Sequence, residues 1–291
     1  MDIRKVQRTG EMHYVYLPTS WCKKYDMTSD AQVSLTENPD GSLVVSAELQ
    51  DRKPKHVRLS LDETNPEILH KILVACYINP LTSFQIDLEK ELDFAKLLEQ
   101  KKLISLESVE LDKKKITYEG SISVTDPSSL LKTMIRKVKN MLIVMTKNYD
   151  KELIGRYEEE IDRLKMLIDK SIISTLMYYT PTKLTTIDLY YLSLISKDLE
   201  RLVDHLGMIP KKESKFLKEL DTVIETLKGI LESESKQKSF TIDTALEFTK
   251  KAVLFDKKGS SDYHKARIRA TLKTISEVIL DWSVTKEIES K

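Results

Sequence analysis

Three pairs of acidic residues recur at a helical spacing in the second half of the chain. They are Glu158 with Asp162, Glu200 with Asp204, and Glu277 with Asp281. Residues four positions apart lie on one face of a helix, so each pair would bring two carboxylates within reach of one ion. Oxygen ligands suit divalent or trivalent metal ions such as Mg, Ca, Mn, Fe or Zn. The spacing predicts metal sites where two such helices are adjacent.

Solvated surface carboxylates are the plain alternative to metal ligands. Asp204 lies well away from the apolar stripe of its helix, and Glu200 lies at its flank, where it could pair with Arg201 or Lys197. The stripe consists of Leu192, Ile195, Leu199, Leu202 and Leu206. Because charged residues make up 32% of the chain, acidic pairs at this spacing also arise by chance.

Catalytic constellations are not evident in the sequence. No nucleophile stands beside a general base, and the helical acid pairs lack an apolar pocket that would tune one of them as a general acid. The phosphate-binding glycine patterns GxxxxGK[ST] and GxGxxG do not occur in a chain with only 7 glycines. We therefore predict that the protein is not an enzyme. A metal-dependent hydrolase of phosphate esters is the weaker alternative.

Composition limits the possible partners and the cellular compartment. The chain has 291 residues, of which 41% are hydrophobic, and a formal net charge of +1, so a surface that attracts nucleic acid has to be local. No run of about 18 apolar residues and no secretory leader occurs, which argues against membrane insertion. Cys22 and Cys76 are not spaced as metal ligands and are predicted to be buried, reduced thiols of a cytoplasmic protein.

The first fifty residues read as short strands around one helical turn. Strand patterns cover Ile3–Arg8 and Met12–Leu17, and Pro18 then begins a short helix that continues to Tyr25. A hairpin is predicted from Gln32–Thr36 and Ser42–Ala47, which flank an Asp-Gly turn.

Residues 51–125 alternate between strand and helix and predict a small α+β domain. Strands are predicted at His56–Leu61 and Ser83–Leu88, and a hairpin at Glu107–Val124. Helices are predicted from Asn65-Pro66 to Cys76 and over Asp93–Leu103.

Helical periodicity covers the remainder, residues 126–291. Six helices are predicted at about 127–147, 150–179, 185–208, 213–234, 241–257 and 262–288. The break at Pro210 divides them into two sets of three, which indicates a duplicated unit with repeats at 127–208 and 213–288.

The N-terminal segment Arg4–Glu11, followed by Tyr14–Pro18, resembles the SpoVT/AbrB family of swapped-hairpin DNA-binding domains. The resemblance covers residues 1–50 and implies that two chains interleave their strands and present Arg4, Lys5 and Arg8 to DNA. Such residues would neutralise phosphates or reach guanine edges. Ordinary solvated charges on an edge strand are the alternative, and acidic residues outnumber basic ones in this segment.

A second resemblance lies in the helical region. The runs Ile187–Tyr191 and Lys197–His205 are similar to the signature helix of the PhoU family, and Glu158–Asp162 is similar to an element of its preceding helix. The resemblance implies a pair of three-helix bundles whose acidic clusters bind metal ions. The second repeat keeps only the carboxylate spacing of Glu277 and Asp281, and Glu247 with Lys251 replaces a further acidic pair.

A chain that combines these two parts resembles the archaeal PhoU-type phosphate uptake regulators. They imply a multidomain α+β chain with an N-terminal swapped-hairpin β domain, a small α+β middle domain and a C-terminal PhoU-like domain. The implied function is phosphate-responsive transcription regulation by a DNA-binding homodimer. The alternative is a PhoU-like adaptor that regulates a phosphate ABC transporter or a phosphate-signalling protein by contact, without binding DNA.

Overall fold

The computed structural model describes residues 3–37, 41–47, 56–79, 83–91, 109–112, 114–119, 125–178, 182–211, 213–233, 240–257 and 261–289. The chain divides into two compact units, Met1–Lys53 and Pro54–Lys291. The predicted helix over Asp93–Leu103 lies outside the described residues.

The first unit consists of two small hairpins and one short helix. Strands β1 (Gln7–Thr9) and β2 (Met12–Tyr14) pair antiparallel across a turn in which Gly10 has a φ of +63°. Helix α1 (Thr19–Lys24) follows Pro18. Strands β3 (Ser34–Glu37) and β4 (Leu43–Ser46) form the second hairpin and confirm the one predicted around the Asp-Gly turn.

The first two strands are shorter than predicted. Residues 3–6 and 15–17 are not part of a strand, although their alternating pattern is typical of one. A strand needs a partner to complete its backbone hydrogen bonds, and within the described residues only 7–9 and 12–14 have one in this region.

The second unit begins with a four-stranded mixed sheet. Strands β5 (His56–Leu61) and β6 (Ser83–Leu88) are parallel, with helix α2 (Pro66–Ile78) between them in the chain. Strands β7 (Val109–Asp112) and β8 (Lys115–Glu119) form the predicted hairpin, and β8 pairs antiparallel with β6. Helix α2 begins as predicted because the Asn65 side chain accepts a hydrogen bond from Glu67 N at 2.9 Å.

The six predicted helices of the C-terminal region are all present. They are α3 (Pro127–Lys147), α4 (Lys151–Tyr178), α5 (Thr186–Leu206), α6 (Ser214–Ser233), α7 (Ile242–Lys257) and α8 (Tyr263–Glu289). Side chains cap several of them. Asp126 accepts from the backbone at the start of α3, Asp150 does so at the start of α4, and Thr185 forms a capping box with Asp188 at the start of α5.

All six helices contribute to one continuous apolar core. Helix α8 packs against α5 and α7, and helix α3 packs against α4 and α6. The apolar stripe predicted on α5 faces this core, since its five members are buried. No helix in the described part of the chain is both long enough and apolar enough to cross a membrane.

A separate core lies between the sheet, α2 and one face of α4. Cys76 belongs to this core, and burial raises the pKa of its thiol. Cys22, in contrast, is half-buried in the first unit rather than buried as predicted, and neither cysteine forms a disulfide.

A buried lysine marks the contact between α4 and the sheet. Lys170 is 7% exposed, and its Nζ lies 4.2 Å from the ring centroid of Tyr77. The same atom donates a hydrogen bond to Tyr118 Oη at 3.2 Å. Burial lowers the pKa of Lys170 because the charged form loses its hydration.

We expect Lys170→Met to raise the free energy of unfolding by about 1–2 kcal/mol near neutral pH, because an apolar side chain of similar length removes a buried charge. The folded-state pKa is lowered, so the unfolded state binds more protons between that pKa and the ordinary value. Wild-type stability therefore rises with pH through this window, and the advantage of Met should shrink towards about pH 10.

Urea unfolding of the two proteins at several pH values measures this difference. Lys147→Met is the matched control, because Lys147 is exposed on α3 and its replacement should change stability little. A destabilised Lys170→Met protein would contradict the argument and indicate that cation–π attraction dominates.

Candidate functional site

Three of the predicted metal ligands come together where α4 and α5 pack. Asp162 lies on α4, and Glu200 and Asp204 lie one turn apart on α5. One carboxylate oxygen from each of the three lies within 4.8 Å of the others. Asp162 and Glu200 are half-buried and Asp204 is exposed, so the cluster is open to ions from solvent. We call Asp162, Glu200 and Asp204 the carboxylate cluster.

The chemistry of the carboxylate cluster fits a hard cation. Its donors are all oxygens, which Mg, Ca and Mn prefer and Fe accepts. Three negative charges at this separation repel one another, and a bound cation would relieve that repulsion. The donor set therefore passes the chemical test for an oxygen-liganded metal ion.

Glu158, the fourth predicted ligand of the first repeat, lies against the end of α5 instead. It is half-buried and is not one of the three clustered carboxylates. A Cβ atom added at Gly207 would lie 1.6 Å from Glu158 Oε1. Gly207 is three residues beyond Asp204 and has no side chain. The Glu158 carboxylate occupies the space that a side chain at this position would fill.

A histidine pair adjoins the carboxylate cluster. His205 follows Asp204 in the sequence, and its Nδ1 lies 3.2 Å from His264 Nδ1 on α8. Burial, followed by the positive potential of His264 and Arg267, lowers the pKa of His205, although Asp204 opposes this shift. No pattern in the sequence marks the pair, because its members are 59 residues apart and lie in different repeats.

The acidic pair of the second repeat has a different environment. Glu277 and Asp281 are both exposed on α8. Within the described ranges they do not belong to any group of three side chains of ligand type. Glu247 and Lys251, where the sequence lacks a further acidic pair, form an ion pair at 2.7 Å. The structure thus brings together the first-repeat carboxylates but leaves the second-repeat pair by itself.

The three predicted DNA-binding residues are all exposed in the first unit. Arg8 lies in β1, opposite His13, and its Nε donates a hydrogen bond to Gly10 O at 2.7 Å. Arg4 and Lys5 precede the strand. A basic segment therefore leads into the first hairpin, and its last member is held against the turn.

The described residues of the first unit do not form a buried core. None of its described residues, 3–37 and 41–47, is buried. Its exposed large apolar side chains are Ile3, Val6, Met12, Tyr14, Val15, Tyr16, Leu17, Tyr25, Leu35 and Leu43. Exposed apolar surface on this scale is typical of a binding surface rather than of a self-sufficient monomeric fold.

Comparison with known proteins assigns part of the helical region. Residues 127–209 match the PhoU domain family. Neither the curated proteins nor the solved structures gave a significant match. The matched span contains α3, α4 and α5 and therefore includes the whole carboxylate cluster. PhoU proteins are regulators of phosphate homeostasis rather than enzymes. The helical region of this chain therefore contains a PhoU domain, and the match supports a protein of the PhoU type.

Proposed function

We propose that the protein is a phosphate-responsive transcriptional regulator that binds DNA as a homodimer through its first unit. The observation that carries the proposal is the absence of any buried residue among the described residues of that unit. The PhoU domain supports the phosphate-responsive part, because its family regulates phosphate homeostasis.

Pairing with a second copy would bury the apolar side chains that the described residues of the first unit expose. Burying apolar surface contributes about 25 cal/mol per Å², and a unit of about fifty residues buries only a small amount of it within one chain. The two-stranded hairpins also have free edges, which a second chain can pair. The alternating segments at residues 3–6 and 15–17, which are not part of a strand in the structure, are suited to that role.

Dimerisation would also concentrate positive charge. One chain contributes Arg4, Lys5 and Arg8, so a dimer presents two such sets. Their side chains are exposed, as phosphate contact requires. An arginine that reaches into the major groove can also bond a guanine edge, which would make the contact sequence-specific.

In this proposal the PhoU domain is the sensor. Asp162, Glu200 and Asp204 would hold a metal ion, and Glu158 remains a predicted further ligand. The ion would neutralise the cluster and allow α4 and α5 to respond to phosphate status or to a partner protein. Glu277 and Asp281 remain a predicted second site.

Protein contact without DNA binding is the second candidate function. The PhoU match favours it, because that domain suggests interaction with phosphate transport or signalling proteins. In that case the apolar surface of the first unit would serve dimerisation alone.

Binding of fluorescently labelled promoter DNA from upstream of the protein's own gene separates the two functions. We expect Arg4→Ala with Arg8→Ala to weaken binding at least about tenfold. The slope of log K against log salt should also fall by about 0.9 for each phosphate that the variant no longer neutralises. The matched control is Lys250→Ala with Lys273→Ala, which removes the same charge from exposed sites on α7 and α8.

If the variant with both arginines replaced has the same affinity for DNA and the same salt dependence, the proposed DNA-binding surface is wrong. The adaptor function would then remain. Light scattering tests the dimer in the same samples, with an expected mass of about twice 33.6 kDa. A protein that is monomeric at the concentration of the DNA-binding experiment would contradict the proposal that two chains share a core.

A further inference from the structure

The hairpin of β1 and β2 has two chemically different faces. Directly opposite residues of antiparallel strands place their side chains on the same face, and neighbours along a strand alternate between faces. Arg8 lies opposite His13, so these two residues share one face, which we call the basic face. The remaining strand residues share the other face, which we call the apolar face after its large side chains: Gln7, Thr9, Met12 and Tyr14.

Two large side chains on the apolar face are exposed. Met12 is 72% exposed and Tyr14 is 41% exposed. Thr9 Oγ1 donates a hydrogen bond to Tyr14 Oη at 3.3 Å, which agrees with the placement of both residues on this face. The Tyr14 ring also makes an edge-to-face contact with Tyr16, which is exposed as well. The apolar face therefore continues beyond β2 as an exposed aromatic surface.

The basic face consists of two exposed side chains. Arg8 Nε donates a hydrogen bond to Gly10 O at 2.7 Å, which uses one of the five guanidinium N–H groups and holds the guanidinium beside the turn. When His13 is protonated, two like charges lie directly opposite each other, which is unfavourable in an antiparallel pair. An anion that contacts both side chains would relieve this repulsion.

The charges decide which face can be buried against another protein chain. Burying Met12 and Tyr14 removes apolar surface from water, which is favourable. Burying Arg8 in the same way would remove the hydration of its charge, which is costly unless a carboxylate replaces it. DNA makes the opposite demand, because its phosphates attract exposed positive side chains. A two-stranded ribbon also fits the major groove of B-DNA.

We infer that the hairpin turns its basic face to DNA and its apolar face to the second chain, with His13 as a DNA contact beside Arg8. The inference rests on the proposed function and adds the orientation of the hairpin to it. It assigns His13 to the DNA surface, and Met12 and Tyr14 to the interface between the two chains.

A lysine placed on each face in turn tests the DNA side with the full-length protein and the same labelled promoter DNA. We expect His13→Lys to tighten binding about fivefold at about 0.15 M salt and to steepen the slope of log K against log salt by about 0.9, because it adds one phosphate contact. Gln7→Lys is the matched control, since Gln7 is an exposed residue on the other face of the same hairpin. It should leave affinity within about twofold and the slope unchanged.

Serine replacements test the dimer side. We expect Met12→Ser with Tyr14→Ser to raise the dissociation constant of the dimer at least about tenfold, because apolar surface is lost from the interface. Arg8→Ser with His13→Ser should leave that constant within about twofold while weakening DNA binding at least about tenfold. Light scattering over a dilution series measures the dimer.

Three results would overturn the inference and leave the proposed function in place. His13→Lys could leave DNA affinity unchanged. Gln7→Lys could tighten DNA binding as much as His13→Lys does, which would indicate that both faces meet DNA. Arg8→Ser with His13→Ser could dissociate the dimer as strongly as the Met12 and Tyr14 variant does, which would place the basic face in the interface.

Failure of the proposed function would give a different result. The wild-type protein would then bind promoter DNA no more tightly than the variant Arg4→Ala with Arg8→Ala does. In that case the orientation of the hairpin towards DNA would be wrong together with the DNA-binding function.

Discussion

Asp188→Ala is expected to lower the free energy of unfolding of the second unit by about 2–4 kcal/mol. The Asp188 carboxylate is 2% exposed and bonds to three partners: the side chains of Trp282 and Lys286 on α8, and the backbone N–H of Thr185, which precedes α5. Loss of the capping box costs about 1 kcal/mol, and an unpaired buried Trp282 N–H costs about 1–3 kcal/mol. Lys286 is 30% exposed and can be rehydrated, so the ion pair itself adds little.

Urea unfolding followed by circular dichroism measures this loss. Glu289→Ala is the matched control, because Glu289 also pairs with Lys286, at 3.7 Å, but is exposed. Its replacement should change stability by less than about 0.5 kcal/mol. Equal stability of Asp188→Ala and Glu289→Ala would contradict the assignment of Asp188 as the link between α5 and α8.

The same carboxylate predicts a dependence on pH. Burial alone would raise the pKa of Asp188, but the hydrogen bonds from Lys286, Thr185 and Trp282 outweigh it and hold the pKa below its ordinary value. The unfolded state therefore takes up the proton first, and the contribution of Asp188 is present at neutral pH. It should be lost as pH falls below about 3.8 through the folded-state pKa, where the two proteins should converge in stability.

Metal ions should stabilise the wild-type protein and not the variant Glu200→Gln with Asp204→Asn. A cation at 100 times its dissociation constant adds about 2.7 kcal/mol to the free energy of unfolding. Without metal the double variant should be the more stable of the two, because it removes the repulsion within the carboxylate cluster. Thermal unfolding with added Mg, Ca or Mn, together with the metal content of each purified protein, measures both effects.

The corresponding change in the other repeat serves as the comparison. Glu277→Gln with Asp281→Asn removes the same charge from an exposed position on α8. If it leaves metal content unchanged while the first variant lowers it, the ion belongs to the carboxylate cluster. Equal stabilisation of wild type and the Glu200/Asp204 variant by metal would reject that cluster. Gly207→Ala tests separately whether Glu158 is a metal ligand, because a Cβ atom at position 207 would displace the Glu158 carboxylate.

Local rules accounted for most of the helices and for the first-repeat carboxylates. Asn65, Asp126 and Thr185 cap helices close to where the sequence placed their starts, because capping depends on residues within one turn. The four-residue spacing of Glu200 and Asp204 correctly placed them on one helical face. Their meeting with Asp162 depended on adjacent packing of α4 and α5, which a helical hairpin favours.

Contacts between distant segments were not predictable from spacing. The contact between His205 and His264 joins residues from different helices, and no periodicity marks it. The short strands of the first unit show a related limit. Their alternating sequence predicts longer strands, but a single chain provides partners for only part of their length.

Helix α4 carries Asp162 on one stretch and Lys170 on another, eight positions further along the same rod. At 1.5 Å per residue the two are about 12 Å apart, within a span over which an unbroken helix scarcely bends. An axial slip or roll of α4 at the carboxylate cluster would therefore be transmitted to Tyr77 and Tyr118, which contact Lys170. The contacts of Lys170 with Tyr77 and Tyr118 would then respond to a movement of α4 at the carboxylate cluster.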